Sequence, residues 1–314
     1  MSKVKLAIAL STLVATVVWA VPTIGTAHRP VRGTAASSVE PISLRDDEDH
    51  GLLAKGWING AGPFVFAIDT GAGASIISQR VVAEARLQVT KARTPLVGGL
   101  STSPISSDQE ARINGLALGN PGNRVPGRVV AAVVPNLPRA IDGILDPTEA
   151  FSPLGYTVDL PNRQLRVFDP SLNGLTVKQQ PRDGAVVRWV RDAGSHRPFV
   201  RLGDGSLALI DTGSGFGLAL NESQVASRRP ANAHRSDVRS RINQDLGGGR
   251  VQSRRISPQK VNIGALVLNG VPTDVLSRVA RGTPIILGRR ALFPFRITFD
   301  PVARLIAFEP VEED

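Results

Sequence analysis

Two tripeptides concentrate the chemistry this sequence could perform. Asp69-Thr70-Gly71 follows the apolar run FVFAI, and Asp211-Thr212-Gly213 follows LALI, at an offset of 142 residues (69 to 211). A single Asp-Thr-Gly at the end of a strand reads as a turn, because Asp and Gly are common turn residues. Two copies offer a pair of carboxyls. Carboxylates held about 3 Å apart cannot both ionise, so such a pair keeps one proton over a broad pH range. One member can then take a proton from water while the other donates a hydrogen bond to a carbonyl oxygen.

Other chemistries lack their residues. The 314-residue chain has no cysteine, which removes thiolate metal sites, iron-sulfur clusters, disulfides and cysteine nucleophiles together. His28, His50, His196 and His234 are scattered, without the spacing of a helical zinc site, and read as solvent or loop histidines. The glycine run from Gly213 to Gly217 lacks the Gly-Lys-Ser/Thr ending of a phosphate loop, and no Gly-x-Ser-x-Gly elbow occurs. No metal and no cofactor is expected.

The elements around the two tripeptides also repeat. DGILDPTEAFSPLGYTVDLPNRQLRVFDP parallels PIILGRRALFPFRITFDPVARLIAFEP, matching Ile144-Leu145 with Ile286-Leu287 and Asp159 with Asp300. Landmarks recurring at one long spacing imply two similar lobes from a duplicated unit. With 31 Gly, 23 Pro and short apolar runs, each lobe reads as strands and turns. GLLAKGWING and PFVFAID should form a hairpin around Asn59-Gly60. Further strands are expected over Pro95 to Thr102, Gln109 to Leu118 and VPGRVVAAVVP. LGGGRVQSRRI, QKVNIGALVLNGV and RITFD should serve the second lobe, with the inter-lobe link near Pro170 to Pro181.

A strand ending in Asp-Thr-Gly, present twice, resembles the aspartic peptidases of the pepsin and retropepsin-like superfamily, in a form that looks like a fused bacterial pair of retropepsin-like units. The resemblance implies an all-β, two-lobed acid-protease fold, with the active site between the lobes and a polypeptide substrate. It makes Asp69 and Asp211 the catalytic pair. Gly71 and Gly213 would let the backbone pass close to the carboxyls, and Thr70 and Thr212 would hydrogen-bond across the interface. The Ser214 hydroxyl would support its neighbouring Asp, Ala72 would lack that support, and Ile286-Leu287-Gly288 would pass behind the second loop. Gly98 and Gly99, with Gly248 and Gly249, mark flap-like hairpins. Two positions depart from the pattern: Asp146 stands where Gly288 stands in the second lobe, and is expected to tilt outward before Pro147. The single tyrosine, Tyr156, falls too late to serve a flap. A silent two-lobed peptide-binding protein is the rival reading.

Lys3 and Lys5 precede an apolar stretch from Leu6 to Val21 and the small residues Gly25-Thr26-Ala27, the layout of a secretory signal with cleavage expected after Ala27. An uncleaved membrane anchor is the alternative. The expected organisation is a signal over 1–27, a linker over 28–45, an N-terminal lobe over 46–173 and a C-terminal lobe over 174–314, exported to the periplasm or outside of a bacterium as a monomer. The formal charge of +10 is concentrated between Arg228 and Arg255, where eight arginines face Asp237 and Asp245. Without aromatics there to stack on bases, no nucleic acid is expected. That segment is either a solvated loop or a charged cleft rim carrying Arg235, Arg239, Arg241, Arg250, Arg254 and Arg255. The acidic run Asp46 to Asp49 reads as solvated.

Overall fold

A computed structural model describes residues 39–101, 105–191, 196–226, 240–244, 250–280 and 282–311. The expected signal segment, most of the expected linker, Gly248 and Gly249 lie outside the described residues. Among those described, no helix is long and apolar enough to cross a membrane.

The chain is all-β, with three sheets and only short helices. In the first lobe the strands Gly51–Ile58 and Ala61–Ile68 form the expected hairpin. Asn59 and Gly60 both take positive φ at its turn, the backbone that matches the twist of a tight hairpin and that Asn-Gly tolerates. Gly143–Leu145 lies parallel to the aspartate-bearing strand, with Leu145 opposite Ile68. The hairpin expected to run on to Leu118 instead stops at Ile113; Leu116–Leu118 turns back to pair with Gly51–Ile58.

The second lobe repeats this arrangement. Leu207–Asp211 lies parallel to Ile285–Gly288, with Leu287 opposite Ile210, the same register seen in the first lobe. A long hairpin, Arg250–Ile263 with Leu266–Ser277, extends that sheet.

The third sheet has six strands drawn from both halves of the chain, in the order Ile42–Ser43, Gln164–Phe168, Gly155–Asp159, Phe295–Asp300, Leu305–Pro310 and Ala185–Arg188. At its centre Thr157 pairs with Thr298, and their hydroxyls meet at 2.9 Å. These two residues occupy equivalent places in the repeat, so an internal two-fold axis passes between them. A continuous apolar core joins this sheet to both lobes. Tyr156 stacks on Phe299 with 4.8 Å between ring centres, and Trp189 meets the same ring edge-on.

The start of the chain corrects one expectation. Ile42 is fully buried, and Arg45–Asp47 is already an edge strand of the first sheet, so the acidic run belongs to a strand and turn rather than a linker, while Asp46, Glu48 and Asp49 are exposed as expected.

Candidate active site

The second pair of equivalents that meets on the two-fold axis is Thr70 and Thr212. Thr70 Oγ1 donates to the Ile210 carbonyl at 2.7 Å, and Thr212 Oγ1 donates to the Ile68 carbonyl at 3.1 Å. Each hydroxyl also accepts the other threonine's backbone N–H, at 3.2 and 3.1 Å. Both side chains are buried, so these four bonds replace water completely and clamp the two loops level. Thr70→Val should cost about 2–4 kcal/mol, because it strands a buried carbonyl and a buried N–H. Thr70→Ser should stay within about 1 kcal/mol of the parent in urea unfolding.

The clamp sets Asp69 and Asp211 side by side, close enough for each carboxyl to shift the other's proton affinity. Each glycine lies over the opposite lobe's carboxyl. A Cβ on Gly71 would stand 2.6 Å from Asp211 Cγ, and one on Gly213 would overlap the Asp69 carboxyl. Only glycine fits there. Gly71 N–H donates to Asp69 at 2.8 Å, and Ser214 N–H donates to Asp211 at 2.9 Å. The Ser214 hydroxyl, expected to support the carboxyl, instead accepts the Phe216 N–H at 3.3 Å, so the support comes from its backbone. Ala72, which has no hydroxyl, lines the cavity wall and packs beside the apolar cluster of Ile76 and Ile144.

The two carboxyls differ in their surroundings. Burial, then the charge of Asp211, pushes Asp69 well above the usual carboxylate range. Asp211 is also raised by burial, but the hydrogen bond from Asp69, the N–H groups of Ser214 and Gly213 and the Arg289 charge all pull it back. Asp69 is thus the more strongly raised member, and the pair as a whole favours holding a single proton.

Behind the second loop, Gly288 N–H donates to the Gly217 carbonyl and Arg289 N–H to the Ser214 carbonyl, both at 2.9 Å, as expected for Ile286-Leu287-Gly288. Behind the first, Asp146 overturns its expectation. It does not tilt outward: it is 2% exposed, and its carboxyl caps the short helix Pro147–Ala150 by accepting the Thr148 N–H at 2.9 Å. Tyr156, remote from any flap, is buried with its hydroxyl 3.0 Å from Thr148 Oγ1.

Both aspartates open onto a cavity of about 900 Å³. Gly98 and Gly99 roof it, at the end of the hairpin made by Val89–Gly98 and Ile105–Ile113. Just beyond them the Leu100 carbonyl accepts the Ala280 N–H at 2.9 Å, Ser101 bridges Val279, and Leu100 packs against the second-lobe cluster of Ala219, Val251, Leu276 and Ile286. Residues at the end of this first-lobe hairpin thus touch the second lobe, a contact that residue patterns could not reveal. Of the arginine segment, Arg241 and Arg255 line the cavity, and Arg255 is tied to Asp274 at 2.9 Å. Arg254 pairs with Glu222, Arg250 is exposed, and Arg235 and Arg239 lie outside the described residues.

Sequence reasoning missed Arg289. Its guanidinium holds the carbonyls of Asp47 and Glu48 at 3.0 and 3.3 Å and lies 3.6 Å from the Asp46 carboxyl. The only trace in sequence is that Gly-Arg-Arg fills the place of Asp-Pro-Thr in the repeat.

No curated protein matches the chain. Residues 54–146 match the family model described as aspartyl protease, a match that runs from the hairpin ahead of Asp69-Thr70-Gly71, through the strand parallel to it, to Asp146.

Proposed function

We propose that the protein is an exported aspartic endopeptidase that hydrolyses peptide bonds with water activated between Asp69 and Asp211. The observation that carries this reading is the pair of adjacent buried carboxyls, one from each lobe, both lining a cavity of about 900 Å³. The aspartyl protease match over the first lobe supports it. Asp211, as carboxylate, takes a proton from water as the water oxygen attacks the scissile carbonyl carbon. Asp69 gives its proton to the carbonyl oxygen, which leaves a neutral tetrahedral diol. Collapse of the diol returns a proton to Asp69, and the proton on Asp211 passes to the departing amine, so the pair regains its single proton. The lysine-led apolar segment supports export, and the internal two-fold axis supports a monomer that supplies both halves of the site.

The test is incubation of residues 28–314 with a mixture of unfolded proteins across pH, with new termini identified by mass spectrometry. Cleavage should be blocked by a statine-type peptide that mimics the diol, and EDTA should leave the rate unchanged. Tight binding of the statine peptide with no cleavage at any pH would favour the silent binder instead.

A further inference from the structure

The duplication is broken at one pair of equivalent places. In each lobe a strand parallel to the aspartate-bearing strand ends behind the Asp-Thr-Gly loop, in the same register. The chain leaves the first strand with Asp146 and the second with Gly288-Arg289. Both charged residues are buried, at 2% and 7% exposure, where an unneeded charge is costly.

Asp146 is held from several sides. Its N–H donates to Ser75 Oγ at 3.2 Å, and Ser75 Oγ donates to Glu149 at 2.9 Å. The other Glu149 oxygen accepts the Val130 N–H at 2.7 Å. The titratable groups that act on Asp146 or feel its charge are Asp69 on the loop, Glu149 on the short helix and Tyr156 on the shared sheet, all of them acids.

Arg289 faces Asp211 and Asp69 on one side and Asp46 and Asp47 on the other, with Asp47 itself hydrogen-bonded to His50 at 2.8 Å. Its Nη1, beside Gly51 and Gly213, is buried with no hydrogen-bond partner among the described residues. The guanidinium charge is thus shared between the Asp46 carboxyl and the second loop, with only Nη1 making no hydrogen bond among the described residues.

We propose that Asp146 and Arg289 are positioning residues of opposite charge, one behind each aspartate, that polarise the dyad and widen the pH range over which it holds a single proton. The proposal rests on reading Asp69 and Asp211 as the hydrolytic pair. Arg289 stays cationic throughout and favours the Asp211 carboxylate at the acid end. Burial lifts Asp146 to about 7, so it is neutral in acid and becomes anionic near neutrality. That is where Asp69 would otherwise begin to lose the shared proton, and the new negative charge beside it makes that loss harder.

The experiment is the pH profile of kcat/KM for the parent, Asp146→Asn, Arg289→Gln and Arg289→Lys. Asn keeps the cap on Thr148 without the charge. Asp146→Asn should move the alkaline limb to lower pH by about one unit and leave the acid limb in place. Arg289→Gln should move the acid limb to higher pH, and Arg289→Lys should restore it. Structural damage would lower the whole profile instead of moving opposite limbs in opposite directions. Should Arg289→Gln fail to fold, Asp146→Asn decides alone: an unmoved alkaline limb overturns the proposal. A carbon-13 titration of the Asp69 and Asp211 carboxyls, in the parent and in Asp146→Asn, needs no turnover. If the parent cleaves nothing, the hydrolase reading fails, while this titration still tests the polarisation. An upper dyad step that does not fall in Asp146→Asn overturns it.

Discussion

Asp69→Asn and Asp211→Asn are each expected to lower kcat/KM by roughly 10³-fold or more. Both proteins should stay folded. Each change removes one carboxyl of a pair that works only with one proton between two oxygens, and the amide has neither the basicity of Asp211 nor the acidity of Asp69. The fold should not suffer, because Asn is nearly the same size and the repulsion between two buried carboxyls disappears. The Thr70 and Thr212 clamp, which levels the loops, is untouched. Peptide cleavage followed by mass spectrometry, beside thermal melting, measures both halves of the expectation. Parental activity in either variant would sink the dyad.

The second large effect concerns stability. Asp146 is raised from its ordinary value of 3.8 to about 7, chiefly by burial. Between those two pH values the folded protein binds the proton that the unfolded chain has released. Stability therefore falls as pH rises from about 4 to 7, and levels off above. The full cost is about 4 kcal/mol, from about 1.4 kcal/mol for each unit. Asp146→Asn removes it and keeps the helix cap. The variant should match the parent near pH 4 and exceed it by several kcal/mol at pH 8 in urea unfolding. Equal stability at both pH values would mean that Asp146 ionises as easily in the folded chain as in the unfolded one.

The dyad, its threonines and its glycines were legible in sequence because short motifs fix them and the repeat doubles the signal. Strand pairing around Asn59-Gly60 was legible for the same local reason. What escaped depends on distance or direction. Arg289 meets the carbonyl of Asp47 across 242 residues, and no local pattern encodes that. Asp146 was misread although its signal was local: Asp, then Pro, then Glu three places on is the composition of a capped helix start. Ser214 reached Asp211 through its backbone because its hydroxyl was claimed by the Phe216 N–H two residues on, a competition that residue type alone does not settle.

The shared six-stranded sheet has a consequence for the order of synthesis. Its inner strand Gly155–Asp159 pairs on one edge with Gln164–Phe168, but its other edge waits for Phe295–Asp300, and Asp211 finds the strand that backs its loop in Ile285–Gly288. Residue 288 must be in place before the second contact can close, and Phe295–Asp300 before the first. Until then the first lobe carries Asp69 as a lone carboxyl with no mate, so under the proposed two-aspartate mechanism the incomplete chain could not turn on itself or its neighbours. It also carries an unpaired strand edge at Gly155–Asp159, along which two unfinished chains could pair with each other. Pairings of such long range close slowly. The two aspartates are thus brought together late, by the same strands that complete the framework.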